Sequence, residues 1–409
     1  MEAFRWVGLD YDGPVVYQSS RFPLYREYLE RLLEEGKAYK CYLTPEELEQ
    51  IREARLKGEK PPVDPRKYRD FKGELDKPYV IRFKTPLDRE LYFEDQIKGE
   101  QRIKGEEIED FVLARSDGTP TYNFVVVVDD HLMGVTDVIR GDDHLRNTFK
   151  QLLLYEAFGW TPPTFYHVPM IHNEAGKKMS KRDGAVDVLE YRRAGYLPEA
   201  LLNFLVRLGW SYGDREIFSI EEMVQLFDPT RINRSPARFD QEKLDWLNSY
   251  YIKQSSNDRL RQLLKGEFGV EVPEGERGDW LLEELKGRVK RLKEMGEEIE
   301  KLFTRPTQYN PKAVKRFLKP KAVGYLKELL QEIEERGGEL KTPVDWEEFL
   351  QEFLSRHQGK PREVMPPLRI GLTGDTKGID LGKMLAILGP AEVQTRLAQF
   401  LEWLEGRGE

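Results

Sequence analysis

The sequence predicts an α/β region followed by an all-α one, with an incomplete Rossmann-type parallel sheet and a small α+β subdomain inserted before it. Three observations carry this. Phe124 to Val128 is a wholly apolar, β-branched run of the kind buried on both faces of a parallel sheet. Val135 to Ile171 reads strand, helix, strand, the βαβ unit of a doubly wound sheet. Beyond Pro198 the apolar residues recur almost entirely at helical spacing, broken by glycine and proline.

In chain order, Ala3, Phe4 and Val7 read as the tail of a helix closed by Gly8. Leu24, Tyr28 and Leu32 mark a second helix, which stops near Gly36. Thr44-Pro45-Glu46-Glu47 is a helix start with a capping threonine, a proline at the first position and an acid at the third. A polar, Pro-rich run from Lys57 to Asp70 ends that helix. From Pro78 to Leu113 the period becomes strand-like, with candidates at Tyr79 to Phe83, Leu91 to Phe93 and Phe111 to Leu113.

Phe124 to Val128 and Val135 to Arg140 read as two core strands. The stripe Leu145, Phe149, Leu152 and Leu153 predicts a helix between His144 and Phe158, closed by Gly159, and Phe165 to Ile171 a third strand weakened by Pro169. Later helices are expected from Pro198, after the capping box at Ser219, between Phe239 and Ile252, and as one long helix from Asp279 to Phe303. Ala322 to Ile333, Trp346 to Leu354, Gly382 to Leu388 and Glu392 to Trp403 follow.

At 409 residues the chain has room for two or three domains. Charged residues make up 34% of it, above the usual share of about 25%, which leans toward a heat-adapted source. No apolar run reaches membrane-span length, and Met1 to Trp6 lacks a signal-peptide layout, so a cytoplasmic setting is expected. The single cysteine, Cys41, excludes an internal disulfide and a multi-thiolate zinc site. A net charge of −8 argues against a general nucleic-acid binder, although binding requires only a local patch. Two patches exist: Lys286, Arg288, Lys290, Arg291 and Lys293, then Lys312, Lys315, Arg316, Lys319 and Lys321. The preferred reading of each is the solvated face of an amphipathic helix.

The chemistry gathers near the ends of the predicted strands. Gly176-Lys177-Lys178-Met179-Ser180-Lys181-Arg182-Asp183-Gly184 sets four cations between glycines that free the backbone. Lys178 and Lys181 suit oxyanions whose position shifts during a reaction, such as a triphosphate losing pyrophosphate. Short basic runs are more often solvated surface, and context gives this one its weight. Tyr122 offers an aromatic face with a hydroxyl handle, or is a core-edge tyrosine. Arg140 offers a bidentate carboxylate clamp, or an ordinary ion pair with Asp142 or Asp143. Gly141-Asp142-Asp143-His144 joins strand to helix, a place for ribose or phosphate. Neither Asp129-Asp130-His131 nor Asp142-Asp143-His144 converges easily on a metal, because neighbours on a strand face opposite ways.

Ser116 to Phe124, Val127 to Met133, Val138 to His144 and Lys178 to Arg182 together resemble bacterial glutamyl-tRNA synthetases. Gly195 to Leu201 and Phe239 to Asn248 resemble that family's stem-contact region, so the likeness spans essentially the whole chain. It implies ATP-dependent activation of glutamate to an enzyme-bound adenylate and transfer to the terminal adenosine of tRNA(Glu). Lys178, Met179, Ser180, Lys181 and Arg182 are then the signature loop, with Lys181, Asp143 and His144 toward ATP and Tyr122 and Arg140 lining the glutamate pocket. Magnesium travels with ATP, no zinc is expected, and the protein is a monomer. The implied domains are 1–40, a remnant of the first Rossmann half; 41–114, an inserted acceptor-binding subdomain; 115–172, the second Rossmann half; 173–254, signature loop and stem-contact region; and 255–409, a helical anticodon-binding arm.

The likeness departs from the family in two places. The family's entry strand, with its Ser-Pro-Thr-Gly loop and His-x-Gly-His signature, and its Arg-x-Glu-Asp segment are absent here. The expectation is therefore an N-terminally incomplete enzyme, weak or inactive in adenylation as this chain. The cysteine-rich zinc knuckle of many relatives is reduced to Cys41, with Lys67-Tyr68-Arg69 where ligands would stand. Two other functions compete: a noncatalytic tRNA-binding paralogue, which would not require the signature loop, and a short enzyme that glutamylates queuosine in tRNA, which lacks the helical arm.

Overall fold

The computed structural model describes residues 1–179 and 187–406. The first part of the chain runs α1 (Glu2–Val7), α2 (Phe22–Glu34), β1 (Ala38–Cys41), α3 (Pro45–Lys57), β2 (Val80–Phe83), β3 (Glu90–Asp95), β4 (Gly99–Lys104) and β5 (Val112–Ala114). Then come α4 (Tyr122–Leu132), β6 (Asp137–Gly141), α5 (Leu145–Phe158), β7 (Thr164–Val168) and β8 (Ile171–His172). Next are α6 (Val188–Ala194), α7 (Pro198–Arg207), α8 (Ile220–Leu226), β9 (Ala237–Arg238), α9 (Gln241–Gln254), α10 (Asn257–Phe268), α11 (Glu276–Lys286) and α12 (Leu292–Phe303). The last six helices are α13 (Pro311–Phe317), α14 (Pro320–Arg336), α15 (Pro343–Arg356), α16 (Pro361–Thr373), α17 (Leu381–Leu388) and α18 (Pro390–Glu405). No helix among the described residues is long and apolar enough to cross a membrane.

The chain divides into two compact units, one of Asp10–Gly184 with Val206–Phe239, the other of Met1–Leu9 with Ala185–Leu205 and Asp240–Glu409. In the first, β1, β2 and β5 form an antiparallel sheet, with Ala38 opposite Phe83 and Ile81 opposite Ala114. The β3–β4 hairpin sets Leu91 opposite Ile103. β6 and β7 are parallel, Arg140 lying opposite His167, and α5 connects them as the expected βαβ unit. One apolar core joins α2, α4 and α5 to β2, β3 and β5 through Leu32, Phe83, Phe93, Phe124, Val128, Phe149 and Leu154.

The run Phe124 to Val128 is a helix, not a strand. Phe124, Val125, Val127 and Val128 are buried at helical spacing, while Tyr122, Val126 and Asp130 follow the opposite side of α4. Four consecutive valines carry high strand propensity, but burial against α5 and α2 outweighs a preference of at most about 1 kcal/mol per residue. The continuation Asp129-Asp130-His131-Leu132 extends the helix. Asp129, buried, accepts hydrogen bonds from Arg21 Nε at 2.9 Å and Tyr25 Oη at 2.6 Å. Pro169 ends the third strand early, splitting it into β7 and β8.

The capping boxes at Thr44 and Ser219 form as the sequence indicates. β1 and β4 were not anticipated. Near Cys41, a buried free thiol, edge-to-face aromatic rings cluster from the buried Tyr42 and Tyr68 out to the exposed Phe71 and Tyr79: Tyr42 lies 5.4 Å from Tyr68 and 5.6 Å from Tyr79, and Tyr68 lies 5.7 Å from Phe71. Among the described residues no cluster of His, Cys, Asp or Glu could hold a metal ion.

In the second unit a continuous apolar core runs through α9 to α18, including Leu285, Met295, Leu329, Trp346, Phe353, Leu385 and Phe400. The single long helix expected from Asp279 to Phe303 is two, α11 and α12, interrupted at Gly287. The interruption has a partner. Leu292 N–H donates to the Gly195 carbonyl at 2.9 Å, and Asn248 Nδ2 donates to the carbonyls of Lys290 at 2.7 Å and Gly195 at 3.2 Å. Gly195 has φ +93, and a Cβ there would lie 2.4 Å from Lys293 N, so only glycine fits. Beside it Asp245 accepts from Arg291 at 3.0 and 3.1 Å and from Tyr196 Oη at 2.5 Å.

Ion pairs occupy three of the five cations of the first basic patch. Lys286 pairs with Glu283, Arg288 with Glu284 and Arg291 with Asp245. The second patch, on α13 and the start of α14, stays exposed, with Lys321 paired to Glu363.

Candidate active site

The carboxyl end of β6 and the start of α5 converge with the N-terminus of α4. Arg140, the penultimate residue of β6, is drawn inward by the alternation of the strand. Its Nε donates to His167 Nε2 at 3.1 Å, and its Nη2 donates to Thr148 Oγ1 at 2.8 Å and Gln151 Oε1 at 2.9 Å. The Tyr122 hydroxyl lies close enough to favour the charged guanidinium. The guanidinium packs on the Phe165 ring, with Cζ 5.4 Å from the ring centroid. Neither Asp142 nor Asp143 pairs with it, since Asp142 meets Lys98 at 2.9 Å.

Arg140 is therefore a part-buried cation whose hydrogen-bond partners among the described residues are neutral. Burial pushes its pKa down, opposed by the Tyr122 hydroxyl and by the more distant charges of Asp130 and Asp95. A desolvated guanidinium held by neutral groups is poised to receive an anion, because only an added negative charge offsets its lost hydration.

Tyr122 begins α4 rather than a strand, is 49% exposed, and lies 5.6 Å from the His144 ring, centroid to centroid. His144 follows Gly141-Asp142-Asp143 in a short 3-10 turn that leads into α5, and its Nδ1 lies 3.3 Å from Asn147 Nδ2. A Cβ at Gly141 would come within 2.5 Å of Asp143 Oδ1, so a side chain there would displace that carboxylate. Tyr122, Arg140, Asp143 and His144 thus share one corner. Asp130 on α4 faces it too, and its burial raises its pKa despite the pull of Arg140.

The basic loop leaves from a small hairpin. Ile171 accepts from Met179 N–H at 3.0 Å, His172 bridges Lys178, and Asn173 to Gly176 make the turn, with Gly176 at φ +77. On its other side β8 pairs in parallel with β9. Lys178 is exposed at the base of the loop. Ser180, Lys181 and Arg182 lie outside the described residues. A cavity of about 360 Å³ between α3 and β2, lined by Arg52, Arg55, Arg66 and Arg82, shares no residue with the Arg140 corner.

Four residues of the corner escaped the sequence reading: Asp95, Thr148, Gln151 and His167. All are buried. The available signal was phase, since His167 falls on the same inward face of β7 as Phe165, and Asp95 on the inward face of β3 with Leu91 and Phe93.

A parallel βαβ unit with a part-buried arginine at its strand ends and a basic loop beyond, joined in sequence to a large helical unit, is the layout of a class I tRNA synthetase. The family pattern for the catalytic domain of class I tRNA synthetases of the glutamate and glutamine type matches residues 1–246, and that for an anticodon-binding domain matches residues 238–401. Glutamate–tRNA ligase 2 of a Nitratiruptor species is 50% identical over 405 residues, 98% of this chain and 87% of its own. Glutamate–tRNA ligase 1 of a Sulfurovum species is 50% identical over 401 residues, 97% of this chain and 86% of its own. Among solved structures, a glutamate–tRNA ligase from Elizabethkingia meningosepticum, crystallised with its amino acid, superposes with a TM-score of 0.81 at 33% identity. It covers 98% of this chain and 88% of that one. The chain belongs to the glutamate–tRNA ligase family. The noncatalytic paralogue and the short glutamylating enzyme are not favoured by relatives of this name along nearly the whole chain.

Proposed function

We propose that this protein joins glutamate to tRNA(Glu) in two steps, and that Arg140 receives one carboxylate of glutamate with Tyr122 beside it. In the first step a glutamate carboxylate oxygen attacks the α-phosphorus of ATP and pyrophosphate leaves. In the second a hydroxyl of the terminal tRNA adenosine attacks the acyl carbon and AMP leaves. Lys178, Met179, Ser180, Lys181 and Arg182 stabilise charge on the phosphates, Lys181 most directly, and Asp143 and His144 lie toward ATP. Magnesium enters with ATP rather than in a protein cage. The regions 1–40 and 115–172 belong to the nucleotide-binding fold, 41–114 holds the acceptor end, 173–254 contacts the stem and 255–409 reads the anticodon. The protein acts as a monomer in the cytoplasm.

The observation that carries this reading is the guanidinium of Arg140, desolvated and held by neutral groups at the carboxyl end of a parallel strand. The test is glutamate-dependent ATP–pyrophosphate exchange with tRNA(Glu) present. Exchange is expected to be weak in this chain, which lacks the Ser-Pro-Thr-Gly and His-x-Gly-His motifs, and to depend on glutamate and tRNA together, with tRNA affinity falling steeply as salt rises. Exchange equally supported by alanine would sink the assignment of Arg140 and Tyr122 to the amino acid.

A further inference from the structure

Behind Arg140 lies a chain of buried polar groups. Asp95 ends β3 and is 1% exposed; His167 in β7 is 0% exposed. Asp95 Oδ1 accepts from the backbone N–H groups of Ile97 at 3.0 Å and Lys98 at 2.8 Å, which is all the turn after β3 requires. Its Oδ2 makes a further bond, to His167 Nδ1 at 2.5 Å, and both oxygens lie within 3.2 Å of the His167 backbone nitrogen. These donors outweigh the effect of burial and hold the Asp95 carboxyl below the usual range. The imidazole is flanked by the rings of Phe93 and Phe165, and its far nitrogen meets Arg140.

We infer that Asp95 and His167 are positioning residues for Arg140: the carboxylate fixes the imidazole in the Nδ1–H tautomer, and the free Nε2 lone pair holds the guanidinium by its Nε–H. The inference rests on the reading of Arg140 as the glutamate receptor. The hydrogen-bond logic leaves one arrangement. A carboxylate only accepts, so Nδ1 carries a proton; Arg140 Nε only donates, so Nε2 carries none. Thr148 agrees with this. Its hydroxyl accepts from Arg140 Nη2, and its own proton is free for His167 Nε2 at 3.0 Å or the His144 carbonyl at 3.3 Å. With Nε and Nη2 pinned by His167, Thr148 and Gln151, the plane of the guanidinium is set before substrate arrives. The ordering cost is met during folding rather than binding.

The experiment compares His167→Phe, His167→Gln and Arg140→Ala in steady-state aminoacylation of tRNA(Glu), with 15N-histidine NMR of the unmutated chain. His167→Phe keeps a flat ring but no acceptor, and is expected to raise the KM for glutamate about 30-fold. The KM for ATP should stay within about threefold. His167→Gln, which can offer Oε1 to Arg140, should recover most of that loss. In the spectrum, His167 is one of five histidines and is assigned as the signal that persists when His131, His144, His172 and His357 are each changed to glutamine. It is expected neutral and protonated at Nδ1 at pH 7. An Nε2–H tautomer or an imidazolium there overturns the inference even if neither His167 variant folds. Equal effects of Phe and Gln, or no change in glutamate KM while Arg140→Ala raises it, overturn it as well. Should Arg140→Ala itself leave the glutamate KM unchanged, the receptor reading fails instead, and the NMR result is unaffected.

Discussion

Two arginines, one in each compact unit, are buried in opposite ways. In the helical unit Arg396 is fully buried on α18, but Glu392 one turn earlier accepts from its Nε at 2.8 Å and the Leu372 carbonyl accepts from its Nη1 at 2.8 Å. Lys286, 8% exposed, likewise meets Glu283. Each of these buried cations has its anion, and the local field is closed. In the other unit Arg140 is held by a histidine, a threonine and a glutamine, and its field stays open. Under the proposed function, the difference separates charge that serves packing from charge that receives the substrate.

Four substitutions test this contrast, in decreasing order of consequence. Arg140→Ala should cut kcat/KM for glutamate by about 10³-fold, roughly 4 kcal/mol, by leaving a substrate carboxylate unpaired. Stability should fall by only about 1–3 kcal/mol, the cost of leaving the buried acceptors of His167, Thr148 and Gln151 unpaired. A large fall in melting temperature with kinetics intact would place Arg140 among the packing charges. Phe400→Ala acts in the reverse sense. Phe400 sits in the helical core, 4.5 Å from Tyr309 by ring centroids, and losing it should cost about 4 kcal/mol of stability by denaturant titration. The glutamate KM, measured at a temperature where the variant is folded, should stay near that of the unmutated chain.

Glu392→Gln should destabilise by about 3 kcal/mol at neutral pH by stripping the buried Arg396 of its counter-charge. Hydrogen bonding from Arg305, and then from Arg396, holds the Glu392 carboxyl down to about 2 despite some burial. A depressed pKa gives stability that is full above the unfolded value, near 4.3. That stability is lost as pH falls toward 2. The stability gap between Glu392→Gln and the unmutated chain should therefore close between about pH 4.5 and pH 2. A gap independent of pH would mean that shape, not charge, is what Glu392 supplies. Tyr122→Phe removes only a hydroxyl at the open end of the Arg140 corner. It should raise the glutamate KM about tenfold. Unaltered kinetics would leave the half-exposed ring as a lining alone.

Much of this was legible beforehand because capping, helical period and glycine stops are local. Thr44 and Ser219 capped their helices, Gly8 and Gly159 ended theirs, and β6–α5–β7 formed the expected unit. The failures were non-local. Val125 to Val128 carry the composition of a strand, and only the surfaces of α2 and α5 make them a helix. Gly287 looks like one weak position inside a long amphipathic stripe until the carbonyl of Gly195 is seen to require the N–H of Leu292. In the candidate site, Tyr122, Arg140, Asp143 and His144, which the structure brings to one corner, stood out because their residue types and positions at element ends are themselves suggestive. Asp95 is 72 residues from His167 and lies on a different sheet, so no spacing in the sequence pairs them.

The joint at Gly195 also has a mechanical meaning. With no side chain and a backbone in near contact with Lys293 N, it behaves as a bearing surface without clearance between the α6–α7 turn and the start of α12. Asn248 clamps both sides, holding the Gly195 and Lys290 carbonyls with one amide. A displacement of α12 therefore has no slack to take up before the turn must move with it. A longer residue at 195 would not merely strain one turn; it would pry the two sides apart and put play into the joint.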